Sequence, residues 1–120
     1  MAATLSVAEH SCERDVLWEH CRNGLGIARL LVHERRPAYL VATACRMAVE
    51  SAVRAGLEQA GLSFDGDLRR GLGRLAAPPE LANFEAGTRT AAAQLAATEH
   101  AVAWLAAWLR DHAPDRAWGY

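Results

Sequence analysis

Residues 37–61 read Pro37-Ala-Tyr-Leu-Val-Ala-Thr-Ala-Cys-Arg-Met-Ala-Val-Glu-Ser-Ala-Val-Arg-Ala-Gly-Leu-Glu-Gln-Ala-Gly61, and this stretch decides the fold. Proline pre-sets the first turn of a helix, and glycine is the usual residue just past its end. At about 100° per residue, Leu40, Val41, Ala44, Ala48, Ala52 and Ala55 gather on one face. Arg46, Glu50, Arg54 and Glu58 form a charge ladder at i, i+4 spacing elsewhere on the helix, each pair adding a few tenths of a kcal/mol. The apolar seam is mostly alanine, so a neighbouring helix can approach closely. The spacing predicts the central helix of a bundle.

Working outward, the 120 residues include 26 Ala and 15 Leu but only 13 Val, Ile and Thr together. That ratio favours helix, because β-branched side chains lose χ1 freedom there. The length suits one domain, residues 1–120, with a core over about 6–112 and a C-terminal tail at 113–120. The tail is expected to stay free unless Trp118 docks. Ser6 and Glu9 have capping-box spacing, so a first helix should start near Ser6, with Leu17, Cys21, Ala28, Leu31 and Val32 inward. Gly24 and Gly26 predict a kink or break within it. Asp67 should cap a short third helix that turns Leu68, Leu72 and Leu75 inward and Arg69, Arg70 and Arg74 outward. Residues 80–86 supply one further turn in this reading. The last helix should run from Gly87 or Thr88 to His112, with Leu95, Thr98, Val102, Leu105 and Leu109 as its seam. Together these give an all-α, four-to-five-helix up-and-down bundle.

Charge narrows the function classes. Thirteen Arg, no Lys and 14 Asp or Glu leave a net charge of −1, without the basic excess of a general nucleic-acid binder. No stretch reaches the roughly 18 apolar residues of a membrane span, and the N-terminus lacks the basic region of a signal peptide. A cytoplasmic protein is expected, with no membrane association, and three cysteines suit reduced thiols.

Few residues are placed for chemistry. His10 and Glu13 are the candidates for half a metal site. On an unbroken helix Cys12 and Cys21 lie about 180° apart and about 13 Å along the axis, so they cannot share a metal. No nucleophile elbow and no phosphate-cradling glycine loop is present. No cofactor is expected. Arg69, Arg70 and Arg74 are candidates for phosphate binding, against the alternative of a solvated face relieved by Asp65 and Asp67. Trp104 and Trp108, with Ala97 and Ala101 beside them, form a second stripe on the last helix. It serves either core packing or a dimer interface, and Trp104, Trp108 and Ala101 are the interface candidates.

The chain resembles the HEPN domain, a small helical bundle named for a nucleotide-binding role. The resemblance runs from Gly26-Ile-Ala-Arg-Leu-Leu31 through Ala38–Leu57 and Gly61 to Asp67-Leu-Arg-Arg-Gly-Leu72 and the final helix, covering about residues 14–112. Glu50 and Arg54 stand where the family shows a Glu and, four residues on, a basic residue. The ribonuclease members carry Arg-x4–6-His late in the fold, and here no Arg stands at those offsets before His100 or His112. The one formal match, Arg14-x5-His20, falls in the first helix with its side chains about 120° apart. The resemblance therefore implies a non-catalytic, dimeric binding module, with a small nucleotidyltransferase as a possible partner in a toxin–antitoxin or nucleotide-handling pair. The alternatives are a divergent ribonuclease or small metal-dependent enzyme, with RNA or a nucleotide as ligand, and a purely structural partner subunit.

Overall fold

The computed structural model describes residues 7–85 and 90–120, with side chains over 12–82 and 90–120. Helix α1 (Val7–His33) is followed by α2 (Ala38–Ala60), α3 (Leu68–Arg74), a 3-10 segment (Pro79–Glu85) and α4 (Ala91–His112). The chain is an all-α bundle, and among the described residues no strand forms. None of the described helices is long and apolar enough to cross a membrane.

Helix α1 and helix α2 pack along their length as an antiparallel hairpin, and α4 lies against the other flank of α2. The direction of α4 follows from three contacts. Arg29 meets Glu99 at 3.1 Å, Cys45 is hydrogen-bonded to Thr98, and Gln59 Nε2 donates to the His112 carbonyl at 3.1 Å. Thus α4 runs with α2 and against α1. The stretch between them, with α3 against α2 and the 3-10 segment against α4, supplies the return leg.

The central helix behaves as its alanine seam implies. Val41, Ala48, Ala52 and Ala55 are wholly buried and Ala44 nearly so, while Leu40 remains partly exposed. Pro37 stands at the N-cap, and Gly61 ends the helix at φ 72°, a left-handed conformation that a β-carbon would penalise. Its neighbour α1 ends differently. Arg35 adopts φ 56°, and Arg36 N–H bonds the Leu31 carbonyl at 2.9 Å, a Schellman closure without glycine.

Of the kink or break expected at Gly24 and Gly26, the break does not form; α1 continues through both. Gly24 is there for proximity. A β-carbon on it would lie 3.1 Å from Ala48 N, 3.2 Å from Ala48 Cα and 3.3 Å from the Ala44 carbonyl oxygen. The two backbones meet where neither helix has a side chain larger than methyl, and the packing gained there outweighs the helix-propensity cost of glycine. The core line of α1 holds at the expected Cys21 and Ala28 but differs on either side of them. Trp18 and Leu25 are fully buried with Cys21 and Ala28, whereas Leu17 is half-buried.

The short elements follow the sequence closely. Asp67 accepts from Arg70 N–H at 3.0 Å as N-cap of α3, and Leu68, Leu72 and Leu75 are buried. Helix α4 starts later than expected, at Ala91, where the Thr90 hydroxyl accepts from Ala93 N–H at 3.1 Å. Its seam residues Thr98, Val102, Leu105 and Leu109 are fully buried and Leu95 is half-buried. The capping role expected of Ser6 and the helix start expected at Gly87 or Thr88 lie outside the described residues.

Candidate functional site

The flank of the α1–α2 hairpin away from α4 is an open groove. Its α1 edge carries Glu13, Leu17, Ile27 and Leu31, and its α2 edge carries Leu40, Met47, Arg54 and Glu58. The intervals are heptads or half-heptads, so each set stays on one side of its helix, drifting about 20° per heptad. The contact of Gly24 with Ala48 sets the antiparallel register, placing Leu31 beside Leu40 and Glu13 beside Glu58. At the Glu13 end the groove deepens into a cavity of about 270 Å³ lined by Glu13, Leu17, Arg54, Glu58, Leu62, Ser63 and Phe64. Its walls combine an apolar floor with two carboxylates and one guanidinium.

The other end of the groove is apolar and uncovered. Ile27 is 46% exposed, Leu30 55%, Tyr39 71%, Leu40 38% and Met47 42%. All five lie on the half of the hairpin nearer the α1–α2 turn, Ile27 and Leu30 on α1 and Tyr39, Leu40 and Met47 on α2. The only other large apolar side chains so exposed among the described residues are Val16 and Tyr120.

A second polar cluster holds the C-terminal segment. The expectation of a free tail is overturned, because Trp118 docks and is 1% exposed. Two guanidinium groups lie over its ring, Arg14 at 4.9 Å and Arg116 at 4.7 Å from the centroid, and it meets Trp18 edge-on at 5.6 Å. Trp118 Nε1 donates to the Ala113 carbonyl at 2.8 Å, and Trp18 Nε1 donates to the Gly119 carbonyl at 2.9 Å. Arg14, nearly fully buried, bonds Asp115 Oδ2 at 2.8 Å and Gln59 Oε1 at 2.8 Å. Burial opposes the charge on Arg14, but the hydrogen bonds it donates to Asp115 and Asp15 prevail and hold its pKa above the usual value. The Arg14 hydrogen bond in turn keeps the Asp115 carboxyl below the usual range. A buried Arg in an otherwise apolar helix line is the one sequence signal that could have announced this cluster. Its partners lie 45 and 101 residues away, where spacing rules do not reach.

The remaining candidates do not converge. Arg70 is paired with Asp65 and Asp67, and Arg74 Nη1 donates to the Ser63 carbonyl at 3.0 Å, while Arg69 is exposed. Two of the three phosphate-binding candidates are thus engaged by the loop preceding α3. Glu13 lines the cavity, and the His10 side chain lies outside those described. Among the described residues no group of three His, Cys, Asp or Glu is arranged to hold a metal ion. Arg14 is committed to Asp115 while His20 is exposed on a different face, so the formal Arg14-x5-His20 match joins no site. Cys12 is exposed, whereas burial pushes the Cys21 thiol up to about 12 and raises Cys45 too.

The aromatic stripe of α4 lies at the edge of the core. Ala101 is fully buried in the chain's own core, which corrects its place as an interface candidate. Trp104 and Trp108 are half-buried against that core, and Trp108 stacks on His112 at 3.8 Å. Comparison with protein-family models, curated proteins and solved structures finds no match to this chain.

Proposed function

We propose that this protein is a non-catalytic interaction module, a bundle of HEPN-like build whose working surface is the groove along the α1–α2 hairpin. A small nucleotidyltransferase remains the partner that the resemblance suggests. The observation that carries the reading is the exposure of five large apolar side chains, Ile27, Leu30, Tyr39, Leu40 and Met47, on the α1–α2 hairpin, of which Ile27, Leu40 and Met47 fall by helical register on the flank that α4 leaves open. A soluble domain seldom leaves several large apolar side chains contiguous and uncovered unless something binds there. The dispersal of the formal ribonuclease pair supports the same conclusion: Arg14 is engaged by Asp115, while His20 is exposed about 120° round α1 from it.

The test is incubation of the purified protein with labelled single-stranded RNA, alongside His20→Ala and Arg14→Met variants. No cleavage above buffer is expected. Cleavage abolished by either substitution in a protein of unchanged helical circular dichroism would replace this reading with that of a divergent ribonuclease.

A further inference from the structure

We propose that the cavity at the Glu13 end of the hairpin binds a free α-amino acid with a large apolar side chain, a role independent of what the rest of the groove meets. From Ser51 to Leu57 every residue of α2 is buried except Arg54, so the cover over this helix opens at the cavity wall. Arg54 and, on α1, Glu13 line the same cavity, yet among the described residues neither has a hydrogen-bond or ion-pair partner, each other included. Opposite charges are thus held apart in a space of about 270 Å³ instead of neutralising one another. Beneath them Leu17, Leu62 and Phe64, half-buried against the core, give the cavity an apolar floor.

The walls are fixed from behind. One residue on from Glu13, Arg14 Nη1 donates to Gln59 Oε1 at 2.8 Å, and Gln59 is itself one residue on from Glu58, so the α1 and α2 walls are tied together at this level. The loop wall is tied twice. Leu62 N–H bonds the Leu57 carbonyl at 2.8 Å, and Arg74 Nη1 donates to the Ser63 carbonyl at 3.0 Å. A site held in this way loses little conformational entropy when a ligand enters.

The charge pattern selects the ligand. A phosphate would meet Arg54 but face the carboxylates of Glu13 and Glu58, and a simple amine would meet those carboxylates but face Arg54. An α-amino acid answers both. Its carboxylate accepts from the Arg54 guanidinium, which matches it bidentately, and its ammonium carries three N–H donors for Glu13 and Glu58, which the helix register sets side by side. Its side chain then lies on the apolar floor, where an aromatic ring gains a contact with the Phe64 ring as well as burial. Pockets for drug-sized molecules run to about 300–1,000 Å³, so a cavity of about 270 Å³ suits a smaller molecule of this kind.

Isothermal titration calorimetry of the full chain with L-phenylalanine tests this, at about pH 6, where an α-amino group is protonated. A dissociation constant of about 1 mM or tighter is expected for a ligand of this size. N-acetyl-L-phenylalanine keeps the carboxylate and L-phenylalaninamide keeps the ammonium; each should bind about ten-fold more weakly, since one charge-assisted contact is lost. Arg54→Gln should weaken L-phenylalanine about ten-fold and leave the amide's affinity unchanged or higher. Glu13→Gln should weaken L-phenylalanine likewise and leave the acetylated form's affinity unchanged or higher. Arg69→Gln, exposed on α3 outside the cavity, should bind as the wild type does. No binding by about 10 mM, ten times the expected constant, overturns the proposal. Binding that neither cavity variant weakens also overturns it, by placing the molecule elsewhere. So does equal affinity for the amide or the acetylated form, which assigns the cavity to the terminal residue of a peptide. If a variant lowers the helical circular dichroism, the three ligands compared on the wild type decide alone. None of these outcomes touches the non-catalytic reading, which fails only on RNA cleavage.

Discussion

Gly24 and Gly26 lie two residues apart in the same helix, and the same substitution at each should have clearly different effects on stability. In a helix interior, Gly to Ala gains about 1 kcal/mol through backbone entropy and propensity. Gly26 is exposed, and a β-carbon there meets nothing within 4 Å, so Gly26→Ala should realise that gain in full. At Gly24 the added methyl would lie 3.1–3.3 Å from backbone atoms of Ala48 and Ala44. Backbone cannot swing aside as a flexible side chain can, so the two helices must separate by a few tenths of an ångström along their tightest contact. Overpacking of this kind costs about 1–3 kcal/mol, which cancels the propensity gain or exceeds it. Gly24→Ala should therefore lie about 1–3 kcal/mol below Gly26→Ala. In a domain of this size that separates their thermal midpoints by several degrees, with Gly26→Ala above the wild type. Urea denaturation followed by circular dichroism, with m-values compared, gives the difference directly. Equal stabilisation by both substitutions would refute the close approach of α1 and α2 at this point.

Ala48 faces the same contact and is fully buried; Ala48→Leu should cost about 1–3 kcal/mol in a urea titration, and a neutral effect would contradict the alanine seam. The Asp115 carboxyl, held below its ordinary range chiefly by the Arg14 hydrogen bond, stabilises the fold above the pKa of the unfolded carboxyl. That contribution is lost as pH falls through the folded value, so the urea midpoint of Asp115→Asn should decline less steeply than the wild type's below about pH 4. Asp65, shifted in the same direction, keeps its own contribution in both proteins. Thiol titration of the native protein at neutral pH should find one rapidly reacting cysteine, Cys12, with Cys21 and Cys45 reacting only on denaturation, since both are fully buried with raised pKa values. Rapid reaction of all three would show that α1 and α2 separate readily.

Sequence alone determined the helical class, the limits of α2, the Asp67 cap and the inward leucines of α3 and α4. These rest on forces acting within a few residues: rotamer entropy, capping hydrogen bonds and the 3.6-residue period. The same local logic failed at Gly24, because the propensity cost is visible along one helix and the compensating contact belongs to another. It left the α4 stripe open between core packing and an interface. A helix wheel shows that Trp104, Trp108 and Ala101 share a side of α4, but not that the chain's own core lies against that side. It also placed the α1 core line at Leu17 where the structure has Trp18 and Leu25, since the direction a helix turns to its neighbours is set by the packing partner. Only the tertiary structure joined Arg14 to Asp115 and Trp118, closing the tail onto α1 through an ion pair and ring contacts across 101 positions of sequence or more. The groove is likewise tertiary: its edges come from two helices, and its openness follows from α4 choosing the other flank of α2. Propensity and period are written residue by residue, whereas which faces meet depends on the whole chain minimising its exposed apolar surface at once.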